Sequence, residues 1–336
     1  MRHNPRDIKL LRHLAAMPFL DRLELALLSG NADRTTYDAV ARLEGRGFVA
    51  SVRHATEAIT STRRLCVTPA GLRYLAHADF VSLDQVLRQH PVSGHWQRLL
   101  LGRLDAVAVL YRLACMIAGA ADGIREFQWY RANPLDAAAV LPDGRVVGLL
   151  RQGPTADKTG FSKRVWRLLE APYFDLLLVL VPDEVRLHHA RRLLLPSRDA
   201  VLLTEEANIP WATAQDRVWQ LRSMPRDLSL AEALPLAGTY GLLPQEQPLA
   251  RERLLDDLDV PDLPDRAPEH LLPALLKPAE KRALDLVADW PWLTADDLSG
   301  MLGVTKVRTS QLTVTLTRAA LACRYPIEGR ERLAPT

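Results

Sequence analysis

The feature that most constrains this chain is a local pattern that it carries twice, once near each end. In the first copy, Leu20 to Ser29 has the apolar spacing of a short amphipathic helix, and Gly30-Asn31 breaks it. A second helix opens at Asp33 and runs to about Gly45. Two β-type runs follow, Phe48 to Arg53 and Arg64 to Thr68, on either side of a polar loop. In the second copy, Thr294 to Met301 is the short helix and Gly303-Val304-Thr305 the turn. The next helix opens at Lys306 and runs to about Leu321, and Glu328-Gly329-Arg330 then separates two weak strands. A helix, a glycine turn and a second helix with a polar, basic first turn is the geometry that lays one helix in a major groove. Each copy reads as a winged helix-turn-helix, and double-stranded DNA is the expected partner.

Size and charge bound what surrounds these copies. A chain of 336 residues exceeds one compact core and fits two or three domains, and an apolar fraction of 48% is that of a globular protein. The net charge of +3 excludes a polybasic coat. Charge is concentrated at the start, where residues 1 to 75 carry 12 Lys and Arg against 7 Asp and Glu. A basic end on a nearly neutral chain suits a phosphate-contacting module joined to something else. Cys66, Cys115 and Cys323 lie far apart without paired spacing, so they read as small hydrophobes in a reducing compartment. With no cleavable signal and no apolar run expected to span a bilayer, the expected location is the cytoplasm, beside the nucleoid.

The expected fold is α+β. Residues 1–90 form the N-terminal winged helix-turn-helix, opening with a helix from about Pro5 to Ala16 and closing with one that Thr68-Pro69 starts. Residues 91–125 hold one long apolar helix, over 95–120, that connects domains or dimerises. Residues 126–205 read as strand, strand, strand, helix, strand, helix, strand, a small α/β sandwich whose run Asp175 to Val181 has the character of a strand buried on both faces. Residues 206–276 are Pro-rich, include an acidic stretch from Asp256 to Asp262, and read as linker with short helices. Residues 277–336 form the C-terminal winged helix, in which Trp290 and Trp292 are expected to plug the core.

Candidate contact residues follow from the helix starts. Arg34, Thr35, Thr36 and Tyr37 are expected to point outward and read bases, since Arg takes a guanine edge bidentately and hydroxyls suit base edges or phosphates. Arg42 and Arg46, a turn or two later, and Arg53, Arg63 and Arg64 on the hairpin are expected to hold phosphates. The second copy offers Lys306, Arg308, Thr309, Ser310 and Gln311, with Thr313 further along and Arg330 and Arg332 on its hairpin, although Asp296-Asp297 would repel a nearby phosphate.

The middle domain raises the question of catalysis. Its strand and helix order resembles the restriction-endonuclease-like core, which holds a divalent metal with an Asp on one strand and an acid-x-Lys group on the next. Asp136 fills the first position, but Gly148 to Gln152 supplies neither carboxylate nor Lys. A sandwich without catalysis, metal or cofactor is therefore expected. The alternatives are a metal-dependent nuclease using Asp136, and a protein-interaction scaffold in which neither copy touches DNA.

Several of these segments together resemble the replication-relaxation family of bacterial proteins, found on plasmids and integrated mobile elements. The resemblance is carried by Arg34-Thr35-Thr36-Tyr37, by Leu65 to Leu72 (LCVTPAGL), by Pro134-Leu135-Asp136-Ala137, by Leu141 to Arg145 and by the strand ending Val181-Pro182-Asp183. It covers roughly residues 5 to 205 and implies a DNA-binding protein tied to plasmid replication, mobilisation or control of element genes. The sequence departs from the family at Leu149 to Gln152, where an acidic residue is expected, which favours a regulatory or architectural role. The reading is completed by a homodimer on a pseudo-palindromic site.

Overall fold

The computed structural model describes residues 4–56, 62–131, 133–153, 158–170, 174–197, 200–238, 241–244, 268–327 and 330–336. The chain is mixed α+β and divides into two compact units. The first comprises Met1–Ala50, Leu65–Gln97 and Ala106–Asp256; the second comprises Ser51–Arg64, Arg98–Asp105 and Asp257–Thr336.

The chain opens with α1 (Pro5–Ala16), whose Asn4 cap accepts from the Arg6 N–H and whose Pro5 occupies a position where no N–H is needed. Next come α2 (Arg22–Ser29) and α3 (Asp33–Gly45). Asp21 and Glu24 form a reciprocal capping box on α2, and Gly30 ends it at φ 67°, a left-handed conformation that glycine adopts without cost. Strands β1 (Val49–His54) and β2 (Thr62–Val67) pair, and α4 (Pro69–Ala78) follows. Leu10, Leu11, Leu14, Leu25, Val40, Leu43 and Leu72 are almost wholly buried, each contributing about 1.5–3 kcal/mol relative to exposure. Gly71 admits no side chain, because a Cβ there would lie 2.2 Å from the Phe48 carbonyl oxygen.

Helices α5 (Leu83–Gln89), α6 (Gly94–Leu101) and α7 (Leu104–Ala121) come next. The single long helix expected over 95–120 is thus two, divided at Gly102-Arg103. Helix α7 is apolar and long enough to cross a membrane by length and composition, against the expectation of no such run, but 67% of it is buried inside the protein. The Tyr111 hydroxyl donates to the Pro18 carbonyl (2.7 Å) and accepts from Trp129 Nε1 (3.1 Å). Rings of Tyr111, Phe127 and Trp129 pack edge to face around that bond.

The sheet of the first unit contains β3 (Glu126–Trp129), β4 (Ala137–Val140), β5 (Val146–Arg151), β6 (Leu176–Val181), β7 (Ala200–Glu205), β8 (Trp219–Leu221) and β9 (Met224–Leu228), hydrogen-bonded in that order. Strands β3 to β5 and β7 to β9 run antiparallel, while β5, β6 and β7 are parallel. Parallel neighbours need crossovers, supplied by α8 (Lys158–Glu170) and α9 (Glu184–Leu194). Every residue of β6 is buried, as its unbroken apolar run requires. The linker expectation fails for residues 206–236. Trp219 is buried, two strands extend the sheet, and α10 (Leu230–Ala233) follows under its own capping box. Buried Asp175 anchors this return, accepting from the Val146 N–H (2.8 Å) and the Gly241 N–H (2.6 Å). The acidic stretch from Asp256 to Asp262 lies outside the described residues.

In the second unit, α11 (Leu272–Leu275) precedes α12 (Pro278–Asp289), β10 (Leu293–Thr294), α13 (Ala295–Leu302), α14 (Lys306–Arg318), β11 (Ala322–Ile327) and β12 (Arg330–Pro335). The three strands form an antiparallel sheet in the order β10-β12-β11 over a core of Val287, Leu298, Leu312, Leu316 and Leu333. Each element from α1 to β1 recurs here 273 positions later with the same length: 5 and 278, 22 and 295, 33 and 306, 49 and 322. Backbone details recur as well. Gly30 and Gly303 are left-handed caps at φ 67° and 65°, and Phe19 and Trp292 have φ 71° and 77°. Each of the latter donates its N–H to a leucine carbonyl across the sheet, Leu65 and Leu333. Trp290 and Trp292 do not plug the core, being 61% and 46% exposed; Trp292 stacks edge-on against Tyr325 instead.

Candidate nucleic-acid interface

Helix α3 shows which of its residues are available to a partner. Arg34, Thr35, Asp38, Ala41 and Arg42 are exposed, and Tyr37 is half-buried with the Arg22 guanidinium 5.9 Å from its ring centre. Arg34 has no hydrogen-bond or ion-pair partner among the described residues. Thr36, expected to face outward, is buried, with its hydroxyl donating to the Ala32 carbonyl one turn back. The helical period places it beside Val40 and Leu43, on the core side.

Arg42 and Arg46 converge on Asp7 of α1, at 3.0 and 3.7 Å, and Asp7 is itself buried. The Arg46 guanidinium also lies over the stacked rings of Phe48 (4.6 Å) and Tyr74 (5.3 Å). These two arginines brace α3 against α1, and each keeps part of its side chain toward solvent, Arg42 about half and Arg46 about a third.

The hairpin divides in the same way. Arg53 and Arg63 are exposed and without a partner among the described residues. Arg64, expected to hold a phosphate, is fully buried in the second unit. Its Nε donates to His54 Nδ1 (3.2 Å), so that nitrogen is the acceptor, and Nε2 carries the proton donated to Asp105 Oδ1 (2.7 Å). Lys281 Nζ donates to the same oxygen (2.7 Å) and to the Ala55 carbonyl (3.0 Å). Burial pushes the His54 imidazole pKa down despite the Asp105 bond, keeping it neutral. Burial alone would raise the Asp105 pKa, but the bonds from His54 and Lys281 outweigh it and hold the carboxyl low. Sequence reading missed this cluster because its members are scattered at 54, 64, 105 and 281, with no spacing to link them.

On α14, Lys306, Val307, Ser310, Gln311 and Val314 are exposed, and Arg308 is half-buried. Lys306 pairs with Asp296 of α13 (2.8 Å) with both side chains largely in solvent, a pairing of little energetic weight. Arg308 Nη1 donates to Gln311 Oε1 (3.2 Å). Thr309 is buried and back-bonded to the Thr305 carbonyl, as Thr36 is to Ala32, so it too leaves the candidate set. Thr313 is likewise buried. Arg332 donates to the Trp292 carbonyl, and the Arg330 side chain lies outside the described residues.

In the sheet, one carboxylate oxygen of Asp136 is engaged by the protein itself. Its Oδ2 accepts from the Arg151 N–H (2.6 Å) and from Arg164 Nη2 (2.7 Å), while Arg164 also donates to the carbonyls of Pro134 and Arg151. Arg151 makes a bidentate pair with Glu206. The Arg164 guanidinium thus already pairs with Oδ2 of Asp136. Among the described residues, no three His, Cys, Asp or Glu side chains converge as a metal site would require.

No protein-family model matches this chain. No curated protein and no solved structure is significantly similar to it.

Proposed function

We propose that this chain is a sequence-specific double-stranded DNA-binding protein with two winged helix-turn-helix modules and an α/β sandwich between them in sequence. It would act as a transcriptional regulator or as a replication and mobilisation factor of a plasmid or mobile element, as the resemblance to the replication-relaxation family implies. The observation that carries the reading is the repeated helix, left-handed glycine and longer helix, with one face of the first two turns of the longer helix exposed in both copies. Arg34 and Thr35 read base edges, with Tyr37 beside them, and Arg42, Arg53 and Arg63 meet phosphates. In the second module Gln311 suits an adenine edge, Val307 a thymine methyl, and Lys306, Arg308 and Ser310 the backbone. The protein works as a cytoplasmic homodimer, and the sandwich positions the modules rather than cutting DNA.

Recovery of genomic fragments bound by the full chain, with binding repeated across a salt series, tests this. A short recurring site that survives physiological salt is the expected outcome, with log K falling linearly in log salt and a two-fold symmetric site. Fragments without a shared sequence, or none retained, would leave the outer faces of α3 and α14 as ordinary solvated surfaces.

A further inference from the structure

Within the first unit a cleft of about 740 Å³ opens between α1, the end of α5 and β3, the edge strand of the sheet. That volume lies inside the range of about 300–1,000 Å³ in which proteins hold small organic ligands. Five cations line the cleft, Lys9, Arg12, Arg88, Arg125 and Arg131, against two acids, Asp79 and Glu126. One of those acids is already committed, because Arg12 donates to Asp79 through both Nε and Nη2.

Arg131 lies over the Trp96 ring, 4.8 Å from its centre, and three of the cations are less occupied. The guanidinium groups of Arg88 and Arg125 have no hydrogen-bond or ion-pair partner among the described residues. Lys9 meets no acid there and donates to the Ser29 carbonyl (2.7 Å). His13 and His90 also face the cleft, and both are neutral at physiological pH: burial, with the Lys9 charge beside it, lowers His13 to about 4, and burial lowers His90. Imidazoles of this kind offer hydrogen bonds without adding charge. Met17, Leu28, Ile124 and Phe127 supply an apolar part of the lining. A cleft with surplus positive charge, uncommitted guanidinium groups and an apolar wall matches one kind of molecule.

We propose that this cleft binds a small amphipathic organic anion, with its phosphate or carboxylate met by Arg88 and Arg125 and its body against Met17, Leu28 and Ile124. Guanidinium groups suit both anions through paired N–H donors, so the two sources share one chemistry. The inference stands apart from the DNA reading, since the α3 face and the hairpin contribute nothing to the cleft.

Calorimetric titration of the full chain with adenosine monophosphate and, separately, 4-hydroxybenzoate tests it, with inorganic phosphate as the body-less control. The expected result is saturable one-to-one binding of at least one probe with Kd below about 1 mM, tighter than inorganic phosphate. Binding of the nucleotide alone points to a phosphate ligand, and of the benzoate alone to a carboxylate. Arg88→Ala with Arg125→Ala should weaken that probe about tenfold or more, and Ala16→Trp should block it. The side chains of Arg88 and Arg125 are exposed and have no partner among the described residues, so their truncation should leave the fold intact, which circular dichroism checks. The proposal is overturned if neither probe saturates, if the double variant binds unchanged, or if a short DNA duplex displaces the bound probe from wild type.

Discussion

The two copies of the repeated pattern match in element length from the first helix to the first hairpin strand and share almost nothing on their surfaces. In the first, α3 is tied to α1 because Asp7 takes both Arg42 and Arg46. The equivalent position in the second is Glu280, which turns back to cap its own helix by accepting from the Lys277 N–H. Arg34 is matched by Val307, Asp38 by Gln311 and Ala41 by Val314. Helix α3 carries Asp33, Asp38 and Glu44 against Arg34 and Arg42, whereas α14 carries Lys306, Arg308 and Arg318 and no acid. The copy that looks more basic in sequence thus uses much of its charge to hold itself together. What recurs is what the fold requires, namely caps, left-handed turns and a threonine bonded one turn back. What differs is what a partner would touch.

The largest effect that would break this comparison lies at the hairpin. Arg64→Ala should destabilise the second unit by about 2–4 kcal/mol, because it strands buried His54 without its donor, and should leave the salt dependence of DNA binding unchanged. Arg63→Ala should do the reverse, with native stability in urea and a salt slope lower by about one phosphate contact. If both variants change the slope and neither changes stability, the buried assignment of Arg64 is wrong.

Next in size is base reading. Arg34→Ala should cost about 1–3 kcal/mol of affinity and relax preference at one base position; Val307→Ala should cost less than about 1 kcal/mol, a methyl contact's worth. Selection of sites from random duplexes with each variant measures both, and equal losses would mean that the second module reads DNA as strongly as the first.

The helix tie should separate the modules by stability. Asp7→Ala should cost about 1–3 kcal/mol, since two arginines lose their shared acceptor, while Glu280→Ala should cost about 1 kcal/mol, the worth of a cap. Urea titrations followed by far-ultraviolet dichroism give both numbers.

Acid sharpens the same contrast more gently. His13 titrates near 4 in the fold and near 6.5 when unfolded. The unfolded chain therefore binds the extra proton first, and stability from this group, intact above about pH 6.5, declines as pH falls toward 4. Leu286 stands at the matching position of the second copy. Imidazole proton shifts should place the His13 midpoint well below 6, and a midpoint near 6.5 would remove the basis for the difference.

Much of the frame was legible in the sequence. Pro5–Ala16 is a helix as its apolar face of Ile8, Leu11, Leu14 and Ala15 indicates, Lys158–Glu170 forms where its period places it, and DLLLVLV is a strand buried on both faces. Residues 219–228 were not legible, because short strands carry no period of their own and exist only by pairing, β8 with β7 and β9 with β8. Thr36 and Thr309 were misplaced for a different reason. A polar residue next to polar neighbours reads as surface, yet a threonine that bonds its own helix carbonyl satisfies its hydroxyl and can face the core.

The sequence by itself determined the repeat, its helix boundaries and its turns, because caps, glycines and apolar period act over a few residues. Only the tertiary structure decided which arginines are free. Arg34, Arg53 and Arg63 stand in solvent, Arg42 and Arg46 close on Asp7, and Arg64 is buried against His54. A guanidinium has the same composition in each place. Its role depends on whether a carboxylate or imidazole from a distant part of the chain arrives beside it, and that follows from packing rather than from local sequence.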